Sequence, residues 1–286
     1  MRDDKLLTRI AGLLRQAEGT DNQHEAEAFL AAAQRLATAS SIDLAVARDH
    51  DPALRSRSTP ITRQVMIGTA GKRGLRTYVQ LFVQIGRAND LTCDVASNST
   101  YVMAYGFSSD LDTVEALYAS LVVQMVSASD AYLKSGAYKS ETAEQVVTRD
   151  IGPWRRRVVE TKPLSPITAR LNFQSAFAER IGARLLVARD EQRDNAIRDE
   201  QAGSDPAAGT GPGERESSST AIALRNKELE VSDYYAQEST ARGTWRPSRA
   251  TAGYSSAARR AGDRAGRRAK IGSDREFGSP RGALES

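Results

Sequence analysis

Apolar residues near the start of the chain recur at helical spacing. Leu6, Leu7, Ile10, Leu13, Leu14 and Ala17 share one face, and Asp3 or Asp4 stands where a cap belongs. Gly19-Thr20-Asp21-Asn22 is a turn cluster, and Asn22 with Glu25 has capping-box spacing. Ala26, Phe29, Leu30, Ala33, Leu36 and Ala37 form a second apolar face, rich in small residues, so the pattern predicts a helical hairpin. Arg48 to Thr62 is polar, holds Pro52 and Pro60, and reads as a linker. A helix is predicted over Leu75 to Asn89. Two runs of β-formers, 91–95 and 101–105, flank the turn 96–100 and predict a β-hairpin. Ser109 with Asp112 has capping-box spacing and opens a helix striped by Val114, Leu117, Leu121 and Met125.

Beyond that helix the pattern weakens. Gly152-Pro153 breaks the chain, and Pro163 and Pro166 mark an irregular stretch. Phe173, Phe177, Ile181, Leu185 and Ala188 predict a long helix from about 167 to 200. Residues 202–220 are dominated by Gly, Pro, Ser and Thr, a composition that buries too little to offset ordering entropy. Ala221 to Leu224 could be strand or helix, and 227–237 looks helical.

The expected fold is α+β. An N-terminal helical hairpin (1–47) and a linker (48–63) precede a mainly helical body with a small antiparallel β-hairpin (64–201). A disordered loop (202–220), a returning segment (221–239) and a basic, largely disordered tail (240–286) follow.

Within the first 45 residues, several positions are specific rather than merely apolar. They are Arg9-Ile10, Leu13-Leu14, Ala17-Glu18, Thr20, His24-Glu25-Ala26-Glu27-Ala28, Ala33-Gln34, Leu36 and Ser41-Ile42-Asp43. This segment resembles the module catalogued as domain of unknown function 2786, found in bacterial and phage proteins. Tyr105 to Asp112, with Glu115 to Tyr118, is similar to the segment that follows the module in relatives. The resemblance implies a fold module and a layout, and brings no reaction with it.

Charge alters the functional picture. The net charge of +4 conceals an asymmetry: eleven Lys/Arg against four Asp/Glu from Thr240 onward give +7, leaving the rest at −3. A basic tail points to a polyanion partner, or to a solvated appendage. Trp154-Arg155-Arg156-Arg157 pairs an aromatic with three guanidiniums, suited to phosphates and exposed bases, or to a Trp anchoring a loop. Lys72 and Arg73 lie in a glycine-bearing tract before a helix, without the spacing of a phosphate loop. In the tail, Arg259, Arg260, Arg264, Arg267, Arg268 and Lys270 would spread around a helix with an alanine face. Gly262 and Gly266 weaken such a helix by up to ~1 kcal/mol each.

Other chemistry has less support. Two histidines and one cysteine, Cys93, offer no zinc spacing, so no metal or cofactor is expected. Asp110, Asp112 and Glu115 sit in the first turns of one helix, where acids cap and complement the dipole. No stretch is apolar enough for a membrane helix, the opening residues read as lacking a secretory leader, and the lone thiol fits the cytoplasm. The leading expectation is a non-enzymatic accessory protein associated with DNA or RNA through these basic residues, with the hairpin contacting a protein partner or packing on the body. The alternatives are a protein–protein interaction module without nucleic acid, and a carboxylate-dependent hydrolase acting on nucleic acid or protein.

Overall fold

A computed structural model describes residues 2–19, 23–72, 74–151, 154–203, 219–243, 245 and 253–269. It shows an α+β chain that is mainly helical, opening with the expected pair of helices. α1 (Arg2–Gly19) and α2 (Gln23–His50) meet through Ile10 and Leu14 on one side and Leu30, Ala33 and Ala37 on the other. The turn residues 20–22, including the proposed cap Asn22, lie outside the described residues. These apolar side chains join one cluster with Phe82, Ile85, Leu111, Leu117, Phe177 and Ile181, so the hairpin shares the main core.

The stretch expected to be an unpatterned linker is ordered. α2 runs on to His50, and Arg48 in its last turn is buried. Asp51 then caps α3 (Pro52–Arg57), accepting from the amides of Ala53 at 2.8 Å and Leu54 at 3.2 Å. Pro52 does not break the chain here, because its missing N–H falls in a first turn that leaves N–H groups unpaired anyway. β1 (Ile61–Met66) follows at once.

β1 adds a third strand to the expected hairpin of β2 (Thr92–Val95) and β3 (Tyr101–Gly106), in the order β1-β3-β2, all antiparallel. Val65 and Val95 both pair with Val102. α4 (Leu75–Ala88), α5 (Ser108–Lys134) and α6 (Pro166–Gly203) supply most of the core, close to the predicted spans. The proposed capping box on α5 is not formed. Its N-cap is Phe107, no side chain caps it, and Ser109 Oγ makes no hydrogen bond.

The segment around Gly152-Pro153 is not irregular. β4 (Thr142–Ile151) and β5 (Trp154–Pro163) form a separate two-stranded ribbon with ten antiparallel pairs, from Thr142↔Pro163 to Ile151↔Trp154. Gly152 and Pro153 themselves lie outside the described residues.

Among the described residues, two helices follow α6. α7 (Ser219–Glu238) resolves the strand-or-helix alternative at 221–224 in favour of helix. Its start is tied to the end of α6 by Glu200, which accepts from the amides of Ser219 and Thr220. So 202–203 and 219–220, expected within a loop, are helical, and 204–218 lie outside the described residues. α8 (Ser256–Arg267) corrects the expectation of a largely disordered tail over 253–269. Ala258, Gly262 and Gly266 on α8 are buried, as is Ala269 beyond it.

Candidate functional site

Two groupings of charged residues stand out, one sealed and one open. The sealed one centres on Lys227 of α7, whose side chain is 1% exposed. It lies 2.7 Å from Asp110 at the start of α5 and 3.3 Å from Asp90 in the turn after α4, and it donates to Ser41 of α2. Arg193 of α6 reaches both oxygens of Asp90 at 2.7 Å, and Arg189 stands 3.8 Å away. Asp90 adopts a left-handed conformation, φ 59°, to present its carboxylate inward. One turn further along α7, Glu230 pairs with buried Arg48 and with Arg55 at 2.7 Å. The Arg48 guanidinium also lies 4.3 Å from the centre of the Phe107 ring.

Burial opposes every charge in this cluster, and the partners decide the outcome. Burial would raise Asp90, but Lys227, Arg193 and Arg189 together hold it below the usual carboxylate range. Burial, with Asp90 nearby, lifts Asp110 above that range in spite of Lys227. Lys227 itself is raised, because Asp110 and Asp90 outweigh its desolvation. The carboxylates therefore do not act as helix caps, the role expected for Asp110. Asp112 and Glu115 do not cap either: both accept from Arg63 of β1, at 2.6 and 3.2 Å.

Elsewhere, Asp94 of β2 accepts from Tyr105 at 2.9 Å, Tyr235 at 2.8 Å and Ser239 at 2.6 Å, fixing the far end of α7 to the sheet. Burial beside Asp94 pushes the Cys93 thiol up to about 12. No group of three or more His, Cys, Asp or Glu among the described residues is arranged to hold a metal ion. His24's side chain lies outside them, and His50 is exposed at the end of α2. An apolar groove between α2 and α6, lined by Leu30, Ala31, Ala183 and Val187, shares no residue with the Lys227 cluster.

The open grouping joins two of the predicted basic segments. The root of the ribbon is held by main-chain hydrogen bonds between Glu144 and Tyr254, at 2.8 and 2.7 Å. Beneath them Ala143, Leu164, Ala169 and Ala258 form a small core of their own. The ribbon and the start of α8 are thus one connected unit. Arg259 lies over the Tyr254 ring at 5.6 Å and pairs with Glu179. Past the root, Arg149 and Arg156 are cross-strand neighbours, as are Thr148 and Arg157, and all four are exposed. Arg149 pairs diagonally with Glu160.

The remaining predicted residues fall as follows. Arg260, Arg264 and Arg268 are exposed, and Arg267 pairs with Asp263 at 3.0 Å within α8. Lys72 is exposed in the turn before α4. Arg73 and Lys270, and the side chains of Trp154 and Arg155, lie outside the described residues.

Residues 5–44 match the family model described as protein of unknown function (DUF2786). That span covers most of α1 and most of α2. Its last residues include Ser41, the hydroxyl that receives the Lys227 ammonium, so the matched segment contributes directly to the sealed cluster. No curated protein and no solved structure matches the chain. No helix among the described residues is long and apolar enough to cross a membrane.

The Lys227 cluster is what sequence reasoning missed. Its members come from four helices and a turn, spread from position 41 to 227. The only sequence signal was a lysine on an otherwise apolar helical stripe, between Ala223, Leu224 and Val231.

Proposed function

We propose that this protein associates with nucleic acid as a non-catalytic accessory factor, and that the ribbon carries the main contact. The observation behind this reading is the connected ribbon–α8 unit. It displays Arg156 and Arg157 on one arm and Arg260, Arg264 and Arg268 on the helix at its root, all exposed. Phosphates are the natural partners of guanidiniums that a protein leaves at its surface. The bacterial or phage, cytoplasmic setting suggested by the sequence fits this role. The sealed cluster supports the reading indirectly, since each of its carboxylates already faces a cation.

Removing the basic C-terminal segment is a poor test, because Ala258, Gly262 and Gly266 are part of the packed structure. Surface substitutions are better. In mobility-shift titrations of the full chain, R156A/R157A is expected to weaken binding by roughly tenfold and to flatten its salt dependence by about two phosphate contacts. Affinity unchanged in the variant, or independent of salt, rules the reading out.

A further inference from the structure

The ribbon's shape and charge placement narrow the partner, on the assumption that the nucleic-acid reading is right. We infer that the β4–β5 ribbon enters the major groove of B-form duplex DNA, with guanidiniums on both of its faces meeting the two flanking backbones.

Cross-strand neighbours in an antiparallel ribbon lie on the same face, and successive pairs alternate. Arg149 and Arg156 therefore occupy one face, and Thr148 and Arg157 the other. A ribbon that merely lay on a polyanionic surface would need charge on one face only. Basic residues on both faces suit a site walled by phosphates on two sides. The charge is also graded along its length. The root, 142–145 with 160–163, carries Glu144 and Glu160 against Lys162, while the next four pairs, 146–149 with 156–159, carry Arg149, Arg156 and Arg157 and no acid. The end that would enter the groove is basic, and the end that would stay outside is not.

Dimensions agree. Beyond the Gln145↔Glu160 pair, six further pairs extend the arm by roughly 20 Å at ~3.3 Å per residue. The B-form major groove, about 12 Å wide and ~8.5 Å deep, admits a two-stranded ribbon without distortion, whereas the minor groove at ~6 Å has to be opened to take one. The deep, narrow major groove of A-form RNA excludes it as well. Single strands are held by rows of aromatic platforms, and Trp154, at the far end of β5, is the one aromatic residue in the sequence of the two strands. Val146 and Val159, a cross-strand pair on Arg157's face, are 63% and 65% exposed. They are the kind of side chain that contacts thymine methyl groups.

The test uses the full chain and three labelled probes: a duplex DNA of about 24 bp, its single strand, and a double-stranded RNA of the same sequence, compared by anisotropy between ~50 and ~200 mM salt. The duplex DNA is expected to bind at least about tenfold tighter than the other two. R149A/R156A/R157A should lose roughly tenfold or more and lower the salt slope by about 2.7, with its circular dichroism unchanged. Guanine N7 atoms should be protected from dimethyl sulfate in the complex. Equal or tighter binding of the single strand or the RNA, or unprotected N7 in a saturated complex, overturns the groove assignment while leaving nucleic-acid association intact. Failure of all three probes to bind, or an unaffected triple variant, overturns both.

Discussion

Helices α7 and α8 face the same problem and solve it in opposite ways. Each follows α6, each is polar, and each has few large apolar side chains to bury. α7 buries Ala223, Leu224 and Val231, and fastens itself with charge: Lys227 between Asp90 and Asp110, Glu230 on Arg48, Tyr235 on Asp94. α8 buries Ala258, Gly262 and Gly266, and fastens itself by proximity. A Cβ added at Gly262 would stand 2.0 Å from the carbonyl oxygen of Phe173, and one at Gly266 would stand 2.9 Å from Arg180 Cβ. The glycines let the α8 backbone touch the α6 backbone. Ion pairs such as Arg180–Asp263, at 2.6 Å, only line the rim. Attachment of α7 should therefore respond to charge and protonation, and attachment of α8 to volume.

The strongest challenge to that contrast is Lys227→Ala. It leaves Asp90 with Arg193 but strips Asp110 of its cation inside the protein, and about 3–5 kcal/mol of stability should be lost. A loss below about 1 kcal/mol in urea unfolding would mean that α7 is held by its apolar contacts instead. Next comes Gly262→Ala, which forces two backbones apart and should lower stability by about 2–3 kcal/mol. Asp263→Asn, on the same helix, should change it by less than about 1 kcal/mol, since that pair is partly exposed. Reversal of that order in denaturant midpoints would show that charge, not contact distance, fastens α8.

The pH dependence offers a smaller, graded effect. Burial and Asp94 push Cys93 from 9.0 to about 12 and Tyr105 from 10.0 to about 12, while Asp110 and Asp90 outweigh burial to raise Lys227 above 10.5. In each case the folded-state value lies above the unfolded one. The stability each contributes is complete below the unfolded value and is lost as pH rises towards the folded one. Urea midpoints should be insensitive to these groups up to about pH 9, then decline steadily. Cys93→Ala should delay the first part of that decline, and a midpoint that rises between pH 9 and 11 contradicts the assignment. Smallest of all is the effect of R156A/R157A on stability, expected within about 0.5 kcal/mol because both side chains are exposed. A larger drop would mean that the ribbon's arginines hold the fold rather than a ligand.

These contrasts also show what a single sequence can disclose. α4, α5, α6 and the β2–β3 hairpin were legible because each buries one face against a continuous core, which imposes a period. The β4–β5 ribbon buries little beyond Ala143 at its root, so its strands carry no alternation to read. β1, Ile-Thr-Arg-Gln-Val-Met, is half-buried and was hidden for the same reason. α8 was underrated because glycine was counted only as a helix-weakening residue. Its spacing from Ala258 to Gly262 to Gly266 marks a face shaped for close approach, provided a second helix is available to meet it. The Lys227 cluster left almost no trace, because Asp110 at a helix start looks like an ordinary dipole-complementing acid until Lys227, 117 positions later in the numbering, is seen beside it. The basic segments were found, but not their connection through Glu144 and Tyr254.

The contact between Gly262 and Phe173 has a consequence for biosynthesis. During translation, the α6 surface around Phe173 and Phe177 is made 89 residues before the glycines that cover it. At ~5–20 residues per second, that surface waits on the order of 5–20 s on the ribosome before the helix that packs on it exists. Nascent chains stalled before residue 262 should be recognised by chaperones that bind exposed apolar segments, and chains released there should aggregate. Docking of α8, the last of the described helices, would then act as the step that commits this part of the chain to its finished form.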